Sequence, residues 1–215
     1  RPIWDRIVAA ADRYNDPGKF TAFIGYEYTS APNRNNLHRV VMFRDGGDKA
    51  GKVLPLSAVE SSDPEQLWAY LENYEKTTGG RALAIPHNGN LSNGWMFDDV
   101  TFTGAPLSAD YARRRQRWEP LYEVTQIKGD GETHPLLSTR DEFADYYRWD
   151  RGNFGTELKT PAMLPREYAR QALQHRAHHA SAGADVENIR AGREPYDPAQ
   201  VGEVGLLLVG SQPAK

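Results

Sequence analysis

The chain has no cysteine. Disulfides and thiolate metal sites are therefore excluded, and any metal must bind through histidine, aspartate or glutamate. The compartment is not fixed by this; cytoplasm and periplasm both stay open. There is no excess of positive charge either. Lys and Arg number 26 against 29 Asp and Glu, for a net charge of −3 and a pI near 6.1, which argues against a general nucleic-acid binder. No apolar run approaches the ~20 residues that cross a bilayer. No internal repeat and no signal peptide is visible, the latter an absence of little weight. Arg1 falls inside what reads as a helix, so the chain reads as a piece of something longer. What is present is 215 residues, 39% apolar and 11% aromatic, enough for one sizeable core.

The stretch from Arg81 to Asn90 (RALAIPHNGN) organises the rest. It follows Gly79-Gly80, a helix stop. Ala82 to Pro86 form a short apolar run with the look of a buried strand. Pro86 has no amide to donate, so the ladder ends there. His87 is next, and Asn88, Gly89 and Asn90 make a tight polar turn. An imidazole just past the carboxyl end of a buried strand is where α/β enzymes place chemistry. A capping histidine bonded to a loop is the plainer alternative.

Upstream, Ile3 to Tyr14 carries a helical stripe of Ile3, Ile7, Ala10, Ala11 and Tyr14. Phe20 to Thr29 is rich in β-formers; Ile24 and Tyr26 share one side, Phe23, Gly25 and Glu27 the other. Glu27 is thus a carboxylate within an apolar strand that needs a cation or several donors, either a metal or an arginine. His38 to Arg44 reads as a second strand, the two forming a long-looped antiparallel hairpin that brings His38 near Glu27. Alone, His38 is an ordinary polar strand-end residue. Ser62-Asp63-Pro64-Glu65 starts a helix with Ser62 as cap and Leu67, Trp68, Leu71 and Tyr74 as its apolar face. Strand, helix and strand alternate here, which suggests a parallel sheet or barrel.

Downstream, Leu91 to Phe97 mixes small, polar and large apolar residues, as a pocket lining or an ordinary packed loop does. Ala109 to Trp118 is a short helix capped by Ser108; its Arg113 to Arg117 run reads as a solvated face, with anion binding as the lesser reading. Leu121 to Ile127 alternates as a strand. Its exit loop holds Lys128, Glu132 and His134, which either contact a substrate or belong to a plain surface loop with glycine hinges. Ser138 to Tyr147 reads as a short helix, and Pro165 opens another to about Ala180. His175, His178 and His179 lie on that helix and read as solvent-facing. Val186 to Gln200 is charged, poor in apolar residues and loose by composition. Val204 to Val209 is a last strand candidate.

Four segments carry a resemblance: Phe23-Ile-Gly-Tyr-Glu-Tyr-Thr29, Asn36-Leu-His-Arg39, Ala84-Ile-Pro-His-Asn-Gly-Asn-Leu-Ser-Asn93 and Trp118-Glu-Pro-Leu-Tyr-Glu-Val-Thr-Gln-Ile-Lys-Gly129. They resemble domain-of-unknown-function family 3604, which is similar to the polymerase-and-histidinol-phosphatase (PHP) metal-dependent hydrolases. The resemblance runs from about Phe20 to about Leu173. It implies an α/β fold, an incomplete, distorted, TIM-like β/α barrel of PHP type. It also implies two or three divalent ions (Zn, Mn or Fe) in an intact parent, with Glu27, His38 and His87 as the metal ligands present here. The superfamily's His-x-His strand is missing and would lie upstream of Arg1. Its closing Asp-x-His motif is also missing, since Val209-Gly-Ser211 runs into Gln212-Pro-Ala-Lys215. From about Gln174 on, the sequence also stops resembling the family, and a truncation or a reading-frame error in the tail would explain this and the missing Asp-x-His. The expected organisation is a partial metallohydrolase domain over 1–173 and a divergent, loosely ordered tail over 174–215.

The function expected from this is metal-dependent hydrolysis of a small, anionic molecule, a phosphoester first, with Asn88, Asn90, Lys128, Glu132 and His134 contacting the substrate. A non-catalytic carbohydrate- or protein-binding module is the rival, supported by 5 Trp and 11 Tyr. A third reading is a fragment inactive by itself, and this is expected of the chain as given, whatever an intact parent does. The deciding geometry is convergence of the Glu27, His38 and His87 donor atoms to within ~4–6 Å.

Overall fold

Alternation along three short strands divides the fold into a packed side and an open side. The computed structural model describes residues 1–149, 151–173 and 207–210, the last as backbone only. The strands are β1 (Ile24–Tyr28), β2 (Arg39–Phe43) and β3 (Ala82–Pro86). Ile24, Tyr28, Val41, Phe43, Ala82 and Ala84 are buried, whereas Gly25, Val40, Met42, Leu83 and Ile85 are half-buried and Glu27 is exposed. Side chains two apart share a face, so the even residues of β1 and the odd residues of β2 face the core. Helices cover that face: α1 (Pro2–Tyr14), α3 (Pro64–Thr78) and α4 (Ala109–Trp118), with a single turn, α2 (Gly47–Ala50), beside α1.

Helix α3 forms where its composition and caps ask for it. Asp63 is the cap, its carboxylate accepting from the Glu65 amide at 2.8 Å, and Pro64 opens the first turn. The expected cap, Ser62, is displaced by one residue. Gly79 closes the helix at φ +65°, a conformation that costs glycine nothing. Leu67, Trp68, Leu71 and Tyr74 are fully buried, and burial of a leucine side chain stabilises by about 1.5–3 kcal/mol.

The expected barrel is not what the chain forms. β2 runs antiparallel to both β1 and β3. A second small sheet has β4 (Leu121–Gln126) at its centre, antiparallel to β5 (Gly129–Asp130) and parallel to β6 (Leu207–Gly210). The described residues are mixed α/β, with no closed barrel. The cause lies in the return from α3. The Asp45 carboxylate accepts from the Arg81 amide at 2.6 Å, and the Arg44 amide donates to the Arg81 carbonyl at 2.9 Å. These bonds start β3 beside the end of β2, so α3 covers the sheet instead of crossing over between parallel neighbours. One isolated parallel bridge, His87 to Glu123, joins β3 to β4.

Other expectations also move. In α1, Trp4 and Val8 are buried, while Ile3, Ile7 and Tyr14 are exposed. Trp4 meets Tyr26 and Phe43 with ring centroids 6.0 Å away, and the largest apolar ring chooses the face. Asp12 lies on the same side, accepting from the Gly47 amide at 3.0 Å. Residues 138–147 form turns, not a helix. Instead of a helix from Pro165, a 3-10 turn (Leu164–Arg166) precedes helical backbone at 169–173. The candidates His175, His178 and His179, and the tail's looseness, fall outside the described residues apart from the β6 backbone.

The arginine run of α4 is not wholly solvated. Arg115 is buried and donates through Nε to Glu119 Oε2 at 2.9 Å. Arg39 Nε and Trp68 Nε1 donate to Glu119 Oε1 at 3.0 and 2.9 Å. Two guanidiniums and an indole thus meet one carboxylate beneath the sheet. Arg114 and Arg117 pair with Glu65 and Glu75.

Candidate metal centre

β1 and β3 flank β2 and point the same way, so their carboxyl ends and the start of β2 meet at one edge. Glu27 is the penultimate residue of β1, His38 precedes β2 and His87 follows β3. The register pairs Tyr28 with Arg39 and Arg39 with Pro86. It follows that His38 stands opposite His87, with Glu27 diagonal to His38 on the open face. The His87 amide donates to the His38 carbonyl at 3.3 Å, continuing the ladder by one rung. Pro86 therefore does not end the pairing: a missing amide on one side of the strand leaves the next residue's amide free to bond.

Both imidazoles reach the same carboxylate oxygen. His38 Nδ1 lies 2.9 Å and His87 Nε2 3.2 Å from Glu27 Oε1, and the three donor atoms all lie within 4.8 Å of one another. The rings meet edge to face at 5.7 Å, and Phe154 packs on His38 at 5.3 Å. Burial lowers His87 to about 4, aided by His38 and Lys128 and opposed by Glu27. Burial also lowers His38, against the pull of Glu27. Glu27 would be raised by its partial burial, but the hydrogen bond and charge of His38 and the charge of His87 outweigh this, and it falls below the ordinary value. At neutral pH the set is two neutral imidazoles on one carboxylate.

These residues fit a divalent cation. Two neutral imidazoles and a carboxylate suit Zn, Mn or Fe. Tetrahedral ligands at ~2.0–2.1 Å are about 3.4 Å apart, close to the spacing of both imidazoles from Glu27 Oε1. The arginine alternative for Glu27 fails: its ion-pair partners among the described residues are His38 and His87 alone. Five other carboxylates are held by Lys or Arg: Asp45, Glu75, Asp98, Glu119 and Glu167.

The turn behind His87 is held by side-chain amides. Asn36 is fully buried, and its Nδ2 donates to the carbonyls of His87 and Asn88 at 2.6 and 2.9 Å. Asn88 is left-handed at φ +51°. Asn90 Nδ2 donates to the carbonyls of Lys128 and Trp149, both at 2.9 Å. Lys159 reaches the Asn90 carbonyl and Glu167. A Cβ on Gly89 would sit 2.2 Å from the Glu167 carbonyl oxygen and 2.6 Å from Tyr122 Oη. Gly89→Ala is therefore expected to cost about 1–3 kcal/mol and to displace His87. Urea denaturation checks the first effect, and histidine NMR shifts check the second.

The expected substrate contacts separate. Asn88 and Asn90 are buried in the turn, and their side chains bond to each other at 3.3 Å. Lys128 is half-buried and near enough to act on His38, His87 and Glu123. Glu132 pairs with Arg170. His134 is buried beside Tyr168, its Nδ1 accepting from the Leu136 amide at 3.1 Å. Asn36, which holds the carbonyls of His87 and Asn88, carries no signal of that role in the sequence. Asn36 stands two residues before His38 in a quoted segment, but only the fold shows what it holds.

A half-open cleft lies elsewhere. It has a volume of about 160 Å³ and is lined by Arg39, Trp95, Met96, Phe102, Tyr111 and Arg115, among others. Its arginines are already matched to Glu119, so the chemistry is better placed at the open edge, where the imidazoles are.

A family model described as "Protein of unknown function (DUF3604)" matches residues 1–185, extending beyond the resembling segments at both ends. No curated protein and no solved structure matches the chain. With most of its length matched, the chain belongs to the DUF3604 family of proteins of unknown function.

Proposed function

We propose that this chain carries the metal-binding edge of a metal-dependent hydrolase acting on a small anionic substrate, a phosphoester first and an amide or other ester second. The carrying observation is Glu27 gripped by two imidazoles instead of a guanidinium or ammonium. The similarity to PHP-type hydrolases that the sequence leads us to expect of the DUF3604 family points to the same reading. A divalent ion bound there would lower the pKa of its water and polarise the scissile group. The protein's own part is to hold three donors on a rigid sheet edge. Lys128 is half-buried beside them, where its ammonium would neutralise a substrate anion.

The test is to titrate the chain with Zn²⁺, Mn²⁺ and Fe²⁺, count bound metal after desalting, and follow phosphate release from a generic phosphomonoester with and without chelator. About one ion per chain is expected, and any phosphate release should be chelator-sensitive. No metal retained at micromolar concentration defeats the reading. Binding of a sugar or peptide without metal would favour the non-catalytic module.

A further inference from the structure

The open face of the sheet holds one more acid in line with the centre. His87 bridges Glu123 in parallel, and His38 stands opposite His87 by the antiparallel register. His38, His87 and Glu123 thus form a row across β2, β3 and β4, with strands about 4.8 Å apart. Paired residues share a face. Tyr122 and Val124 are buried, so Glu123 points away from the core, to the side that carries Glu27. Glu123 is half-buried and bonds to Gln126, and no Lys or Arg among the described residues forms an ion pair with it. Burial raises its pKa, and the nearby charge of Glu27 raises it further. Glu27 and Glu123 therefore lie on one face of the strands, close enough for the charge of Glu27 to act on Glu123.

We propose that Glu123 is a fourth ligand of the centre, closing on a divalent cation from the β4 side. A bound ion would take further donors beyond these three, and Glu123 is the carboxylate that the His87 bridge places on the same face. Each of four adjacent strands then contributes one donor. Lys128, which acts on His38, His87 and Glu123 alike, opposes the bound charge until a substrate anion neutralises it. This rests on the metal-binding reading above.

Calorimetric titration of the whole chain with MnCl₂ or ZnCl₂ alone tests it. Glu123→Gln is expected to weaken binding by at least ~10-fold with one ion per chain retained, and Lys128→Gln to tighten it several-fold. Glu123→Asp keeps the charge but shortens the reach, and it should also bind weakly. If Glu123→Asp binds as the wild type does while Glu123→Gln does not, Glu123 acts by charge at a distance and the ligand assignment falls. Wild-type affinity in Glu123→Gln overturns the inference and leaves the three-donor centre standing. No binding by the wild type removes both. Should Glu123→Gln melt early, the visible spectrum of the Co²⁺-loaded wild type against Glu123→Asp decides: a changed ligand field supports ligation, and identical spectra overturn it.

Discussion

Glu119→Ala is expected to destabilise the fold by about 3–5 kcal/mol, the cost of leaving a buried charge without its partner. The carboxylate is contacted by Arg39, Arg115 and Trp68, and side-chain exposure is 2% for both Arg39 and Glu119. Removing it leaves two buried guanidiniums without their shared carboxylate. The effect should depend on pH in a definite direction. Burial alone would raise Glu119, but Arg39 and Arg115 outweigh it and hold the carboxyl at about 2, below its ordinary 4.5. A depressed folded-state pKa gives stability that is whole above the unfolded value and lost as pH falls toward the folded one. The gap between wild type and Glu119→Gln in urea denaturation should thus be full at pH 7 and shrink between about pH 4.5 and 2. A loss below ~1 kcal/mol at pH 7 would mean that water reaches the arginines.

His87→Ala is expected to abolish metal retention. The imidazole is 4% exposed and points Nε2 at Glu27. Without it, Glu27 and His38 are two donors, one of them on a side chain 45% exposed, too few to hold an ion against water. Elemental analysis after desalting is the measurement, and wild-type metal content in the variant would refute the assignment. Protons compete with metal for the same nitrogens. Burial holds both imidazoles below their ordinary 6.5, His87 at about 4, so uptake should persist below pH 6.5 and fail only on further acidification.

The meeting of Glu27, His38 and His87 was legible because these residues sit at strand ends. The alternation of β1 put Glu27 opposite the core, the apolar run before His87 marked β3, and the hairpin brought His38 to Glu27. The fold class was not legible in the same way. Alternating strand, helix and strand suits a parallel crossover as well as an antiparallel return, and the choice rests on Asp45 meeting the Arg81 amide, a contact 36 residues apart. Glu119 was invisible for a related reason. It lies in the Trp118-Glu-Pro120 step that opens one of the resembling segments but has no periodic pattern of its own, and its partners are brought to it by β2, α3 and α4. The arginine run looked solvated because helical charge patterns do not say which single residue turns inward. In α1 the stripe was drawn through Ile3 and Ile7, although one tryptophan outweighed both.

The turn behind His87 also bears on how the protein ages. Asn88-Gly89 is a dipeptide prone to deamidation, a reaction that begins when the glycine nitrogen attacks the asparagine side chain. Here that nitrogen donates to Tyr122 Oη at 2.9 Å, and both residues are buried. The native fold thereby keeps the nucleophile occupied. Chains that unfold lose this protection and acquire a carboxylate or an isopeptide link where the turn was, a covalent scar that refolding does not erase. Shelf life of the centre should accordingly follow the rate of global opening, with Tyr122→Phe shortening it.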